Sequence, residues 1–197
     1  MKLTSRDVVS FFNSPPKGLT GVLIYGNDPM RVSDERHQFI KSLLGPNAAK
    51  EMRLAPISRE NLKKEPEQAI DLCKAQGFFP GERALLIEEG NETITEIIIK
   101  AVEAWRDGDA TIVVTAGSLK PSSSLRKFFE QKKNIYSLPI YDNPMTKFEV
   151  EKIIAESGLQ NVTQEGFAHL VTVASELQPG DFRPVSYYTS PSPRDRG

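Results

Sequence analysis

The sequence predicts an α/β domain with a parallel sheet, followed by a small all-helical domain, on three observations. Short, continuously apolar runs recur at 21–25 (GVLIY), 84–87 (ALLI), 110–115 (ATIVVT) and 135–138 (IYSL). Stretches of helical periodicity separate them. After Pro139 the apolar runs stop, and two helical stretches follow with no strand between them. A strand apolar along its whole length is buried on both faces, as in a parallel sheet covered by helices on each side. The expected organisation is an α/β domain over 1–142, a partial helical domain over 143–184, and a tail over 185–197.

Each element has its own warrant. A helix is expected over 5–13, with Val8, Val9, Phe11 and Phe12 apolar and Pro15-Pro16 as its stop. The strand at 21–25 ends in the turn Gly26-Asn27-Asp28-Pro29. Phe39, Ile40, Leu43 and Leu44 define a helix over 33–44, closed by Gly45-Pro46. Residues 51–54 are expected as an edge strand, and 67–76 as a helix carrying Ile70, Leu72 and Cys73. Asn91 can cap a helix over 92–106, whose buried stripe is Ile94, Ile97, Ile98, Ala101, Val102 and Trp105. A helix over 122–131 turns Leu125, Phe128 and Phe129 inward. The second domain contributes helices over 145–157 and 164–177, and Asp181-Phe182 looks like the opening of a third. Residues 185–197 (VSYYTSPSPRDRG) read as a foreign tail, with a natural disordered linker as the alternative. On either reading the second domain is expected to be incomplete.

Composition narrows the function classes. Of the 197 residues, 39% are hydrophobic and 26% charged, a globular mixture able to bury a core without staples. The formal net charge of -1 gives no bulk attraction to nucleic acid or membranes. Cys73 is the only cysteine, which excludes a disulfide framework and a cysteine-rich zinc site. No signal peptide or membrane-spanning run is visible, so the cytoplasm is the expected compartment. His37 and His169 stand apart, without a carboxylate cluster spaced for a metal.

The first strand–turn–helix is where a nucleotide-binding domain carries its phosphate loop. That loop needs consecutive backbone N–H donors, a lysine, and a Ser or Thr for magnesium. Here it reads Tyr25-Gly26-Asn27-Asp28-Pro29-Met30-Arg31, with no such lysine, and Asp28 puts negative charge where phosphate would lie. Glu88-Glu89 after Leu85-Leu86-Ile87 resembles a magnesium-binding strand end, but without a phosphate loop it reads as solvated carboxylates. No G-x-S-x-G, H-E-x-x-H or G-x-G-x-x-G pattern is present, and Ser122-Ser123-Ser124 reads as a helix cap. The chain is therefore expected to be non-catalytic and to need no cofactor or metal. Arg126, Lys127, Lys132 and Lys133 form a modest basic group that reads as a solvated helix face. The most suggestive segment is Ala75-Gln76-Gly77-Phe78-Phe79-Pro80-Gly81. An aromatic pair at a helix end is either core or an outward anchor for a partner's apolar pocket.

Four pieces occur here in the order seen in the delta subunit family of bacterial DNA polymerase III: Leu23-Ile24-Tyr25-Gly26-Asn27-Asp28, Ala75-Gln76-Gly77-Phe78-Phe79, Arg83-Ala84-Leu85-Leu86-Ile87, and Ala116-Gly117-Ser118-Leu119 with Ser124-Leu125-Arg126-Lys127. Across 2–182 the chain resembles that family. The resemblance implies an AAA+-like first domain without a functional nucleotide-binding loop, then a small lid-type helical domain. It implies a clamp-loader subunit that binds and opens the beta sliding clamp during replication. Within a full-length protein it also implies partnership with the motor and delta-prime subunits and with primer-template DNA. Phe78 and Phe79 match the hydrophobic pair that enters the clamp, and Gln76 flanks them with a polar contact. The family often has leucine where this chain has Phe78. The resemblance leaves no counterpart here for the family's helical collar domain.

Overall fold

A computed structural model describes residues 1–141, 144–156 and 162–176. The chain divides into two compact units, Met1–Ile140 and Tyr141–Gly197. The expected tail over 185–197 and the helix opening at Phe182 lie outside the described residues.

The first unit is built on five parallel strands: β1 (Gly21–Gly26), β2 (Leu54–Ser58), β3 (Ala84–Glu88), β4 (Thr111–Ala116) and β5 (Ile135–Ile140), in the order β2-β3-β4-β1-β5. Every residue of β1 and β4 is buried, as their largely apolar sequences require, Thr111 and Thr115 of β4 included. Val22 and Ile24 enter one apolar cluster, and Leu23 and Tyr25 enter the other, because successive strand residues point to opposite faces. Helices α1 (Ser5–Asn13) and α2 (Pro29–Leu44) cover the first face through Phe11, Phe12, Val32, Phe39 and Ile40. Helices α3 (Arg59–Lys64), α4 (Gln68–Lys74), α5 (Thr95–Ala104) and α6 (Ser124–Gln131) cover the second through Leu62, Cys73, Ile98, Leu125 and Phe129. The two faces follow from chirality. The β1–β2 crossover runs one way across the sheet and the later crossovers run back, so keeping both right-handed puts their helices on opposite sides.

Both sheet edges are guarded. On β2, Pro56 is exposed and has no N–H to offer another strand. On the far side the first residues pair along β5: the Leu3 N–H donates to Ser137 O (2.8 Å) and the Ser137 N–H to Met1 O (2.9 Å).

Several boundaries differ from expectation. The edge strand begins at Leu54, where 51–54 were expected, and continues to Ser58. The six-residue α3 was not anticipated. Helix α2 starts at Pro29, four residues early, because Asp28 is its N-cap: one carboxylate oxygen accepts from Met30 N (2.9 Å) and Arg31 N (3.1 Å). Helix α4 ends at Lys74, so residues 75–83 form a loop. Asn91 caps as expected, through Thr93 N, but the turn it starts is 3-10 over Glu92–Ile94 before α5 begins. Ser123 caps α6 through Arg126 N.

The second unit carries α7 (Lys147–Glu156) and α8 (Gln164–Glu176). Their shared core is Met145, Val150, Ile153, Ile154 and Ala174, with Phe167, Leu170 and Val171 packed against it.

Candidate partner-binding site

The loop over 75–83 leaves α4 and enters β3, at the edge of the sheet where strands begin. Its base is held on both sides. Before it, the Cys73 thiol donates to Ala110 O (3.2 Å), the Ala110 N–H donates to Cys73 O (2.9 Å), and the Trp105 indole N–H donates to the same Ala110 carbonyl (3.1 Å). Lys74 Nζ reaches Asp109 (3.0 Å) and the carbonyl of Ala104 (3.1 Å). After it, Arg83 donates to Gly108 O (2.8 Å), and its stem lies against Gly77, where a Cβ would come within 3.2 Å. Gly81 has φ +121°, a conformation that glycine adopts without strain.

Between these anchors, Gln76, Phe78 and Phe79 all face solvent. Phe78 is 94% exposed and Phe79 is 46% exposed. The core-packing alternative for the pair therefore does not hold; the aromatics project from a braced loop. A continuous apolar pair left in water is the kind of feature that marks a contact surface. Met52, 69% exposed, stands two residues before β2 with φ 49°.

Charge and burial set the properties of the groups beneath the loop. Burial, aided by the Asp109 charge, pushes the Cys73 thiol up to about 11. At Asp109 burial works against ionisation. It is outweighed by the Arg106 backbone N–H, the Lys74 hydrogen bond and charge, and Arg83, so the carboxyl lies below its usual value.

At the opposite end of the sheet, beyond the strand C-termini, lies a cleft of about 610 Å³, lined by Gly26, Asn27, Arg36, Glu88, Glu89 and Gly117 among others. It sits between β1, whose chain leaves to one face, and β4, whose chain leaves to the other. That is the topological switch point where α/β domains place ligands. This cleft is poorly equipped for a nucleotide. The first helical N–H groups of α2, which would cradle phosphate, are taken by Asp28, and Pro29 has none to give. Gly26 is explained by packing: a Cβ there would lie 2.6 Å from Ile140 O. Glu88 and Glu89 keep exposed side chains, 42% and 69%, as expected of a solvated strand end, and each also pairs with an arginine, Glu88 with Arg36 (2.6 Å) and Glu89 with Arg59 (3.3 Å).

The remaining candidates are ordinary. Of the basic group on and after α6, Arg126 pairs with Glu130 (2.9 Å) and Lys132 with Glu103 (3.0 Å); Lys127 and Lys133 are exposed. His37 and His169 are exposed, and the described residues contain no metal-holding cluster. No described helix is long and apolar enough to cross a membrane. The sequence did not single out Arg53, whose guanidinium touches the far end of the loop through Glu82 O (3.0 Å). The nearby glycine at 81 was its only local signal.

No protein-family model matches the chain, and no curated protein matches it. Solved structures that share its fold include two replication proteins. The Bacillus subtilis DNA clamp loader delta protein (YqeN) superposes with a TM-score of 0.52 at 12% identity, over 94% of this chain and 57% of that one. Domain III of the Thermotoga maritima replication initiation protein DnaA superposes with a TM-score of 0.51 at 10% identity, over 91% of this chain and 78% of the other. The chain thus spans little more than half the length of the clamp loader protein. The likeness establishes the fold: a five-stranded parallel α/β sheet of AAA+-like type.

Proposed function

We propose that this chain works in DNA replication as the clamp-binding part of a clamp-loader delta subunit. One observation carries the reading: Phe78 and Phe79 are displayed together on a loop braced at both ends. The fold shared with a clamp loader delta protein and the ordered family pieces in the sequence support it. In this reading residues 1–142 are the clamp-binding domain, and the helices that follow belong to a lid-type domain. The two phenylalanines enter an apolar pocket on the beta sliding clamp, with Gln76 as a polar flank. Opening is differential binding: a subunit that prefers the sprung clamp interface shifts the clamp toward it. The capped start of α2 and the paired glutamates favour a non-catalytic subunit, with ATP acting in the motor subunits. In the full-length protein the partners are those motor subunits, delta-prime and primer-template DNA, and the compartment is the cytoplasm.

The test is equilibrium binding of the chain to a bacterial sliding clamp, beside the Phe78→Ala/Phe79→Ala variant. Binding that the double substitution removes, with the fold unchanged, is the expected result. A folded chain that ignores its cognate clamp would leave an α/β interaction domain with another partner.

A further inference from the structure

We infer that Arg53 is the positioning residue of the aromatic loop, a latch that fixes one presentation of Phe78 and Phe79 before any partner arrives. Its purpose rests on the clamp-binding reading; the latch itself is a property of the free protein. The Arg53 side chain is only 10% exposed and spends its donors on three separate pieces of chain. Nε and Nη2 engage the Glu51 carboxylate (2.7 and 2.6 Å), Nη2 also donates to Leu44 O at the end of α2 (2.7 Å), and Nη1 donates to Glu82 O in the loop (3.0 Å). Glu51 neutralises and aims the guanidinium, and the other two contacts cap a helix end and pin the loop. From the loop's side, Gly81 comes so close that a Cβ there would lie 3.3 Å from Nη1.

The approach to Arg53 is itself strained. Met52 is held at φ 49°, which a bulky side chain rarely adopts, by a tight turn in which the Met52 N–H donates to Ala49 O and the Arg53 N–H to Ala48 O. That turn leaves Met52 in solvent and sends Arg53 inward to its acceptors. Backbone strain persists where the surroundings over-determine it, and here the surroundings are the fork of Arg53 contacts. A planar guanidinium reaches three directions at once; a lysine ammonium in its place meets the carboxylate but cannot span both carbonyls. A loop ordered in advance loses less freedom on binding, so the latch raises affinity without touching the partner.

The experiment combines ¹⁵N relaxation on the free chain with clamp titrations, using R53M, R53K and G81A. G81A perturbs the loop beside the same contact, through both the approach to Nη1 and its own φ of +121°, so R53M is the deciding variant. In the wild-type chain residues 76–82 should give backbone order parameters of about 0.8, falling below about 0.6 in R53M and G81A. Residues of β1, β3 and β4 in the same spectra report the fold. R53M and G81A should weaken clamp binding about tenfold, and R53K should weaken it too despite its retained charge. In an F78A background the added effect of R53M should shrink, leaving only the share carried by Phe79, because Arg53 acts through the aromatic pair. A mobile wild-type loop, or loop order unchanged in R53M, overturns the latch, whatever G81A does. An R53M effect undiminished in F78A assigns Arg53 to direct partner contact and also overturns it. If F78A/F79A binds clamp like wild type, the clamp reading falls, while the order parameters still decide the latch.

Discussion

The two phenylalanines are not equivalent, and their exposures predict how each should fail. Phe78 is 94% exposed in the free chain, so nearly all of its apolar surface remains available to a partner. Burying a phenylalanine side chain is worth about 1.5–3 kcal/mol, so Phe78→Ala should cost most of that in binding, roughly ten- to a hundredfold in Kd. Phe79 is 46% exposed and can offer about half as much, roughly three- to tenfold. Fold stability should follow the opposite order. Phe78→Ala removes nothing packed and should stay within about 0.5 kcal/mol of wild type. The half of Phe79 already buried should make Phe79→Ala cost about 1.5–2.5 kcal/mol, half the usual loss for a core phenylalanine. At about 2–4 °C per kcal/mol, the Phe79 variant should melt some 3–10 °C lower while the Phe78 variant barely moves. Thermal denaturation followed by circular dichroism gives one ranking and clamp titration the other. A Phe78→Ala protein that melts well below wild type would refute the exposed-knob geometry. Binding dominated by Phe79 would refute the area argument.

Three further outcomes test the scaffold. Cys73, with its thiol raised to about 11, should resist a thiol reagent at pH 8 until the chain is unfolded; because the unfolded thiol ionises first, this group's contribution to stability is full below pH 9 and is lost as pH rises toward 11, a loss of roughly 2–3 kcal/mol readable in urea titrations. Asp28→Ala should lower stability by about 1–2 kcal/mol by uncapping α2, and Asp28→Asn by less, while calorimetry with magnesium ATP gives no binding heat for wild type or variant; heat with wild type would overturn the non-nucleotide reading. Gly26→Ala should cost about 1–3 kcal/mol by driving a methyl group into Ile140 of β5, and a neutral result in the same denaturation assay would contradict the close packing of β1 on β5.

What the sequence disclosed depended on how deeply each segment is buried. Central strands β1, β3 and β4 announced themselves because both faces are covered and, apart from Glu88 at the end of β3, every residue is apolar or small. Strand β2 lies at the edge, with Leu54 and Ala55 half-buried and Pro56 exposed, so its composition blurred its limits. Helix α3 is a single short segment carrying one buried residue, Leu62, too little for a period to show. The early start of α2 was legible in principle: an Asp followed by Pro is a helix-opening pair, but it was read as a turn. At the site, the aromatic pair was visible and its direction was not, since adjacent phenylalanines look alike in a core and on a loop. The internal pairing of Glu88 and Glu89 was also out of reach. Their arginines come from α2 and α3, far away in sequence, and only the fold brings them together.

The aromatic loop feeds directly into β3, which is hydrogen-bonded along its length to β2 on one side and β4 on the other. A pull on Phe78 and Phe79 away from the sheet runs along the strand axis. It therefore loads both ladders of β3 in shear, all the rungs together, instead of peeling them apart one by one. The same pull divides at the loop's other end into α4, whose last turn is tied to Asp109 and Ala110 just before β4. Force applied at the two rings thus spreads across the middle of the sheet. The attachment is mechanically stiff at the two rings, where the proposed partner would be gripped.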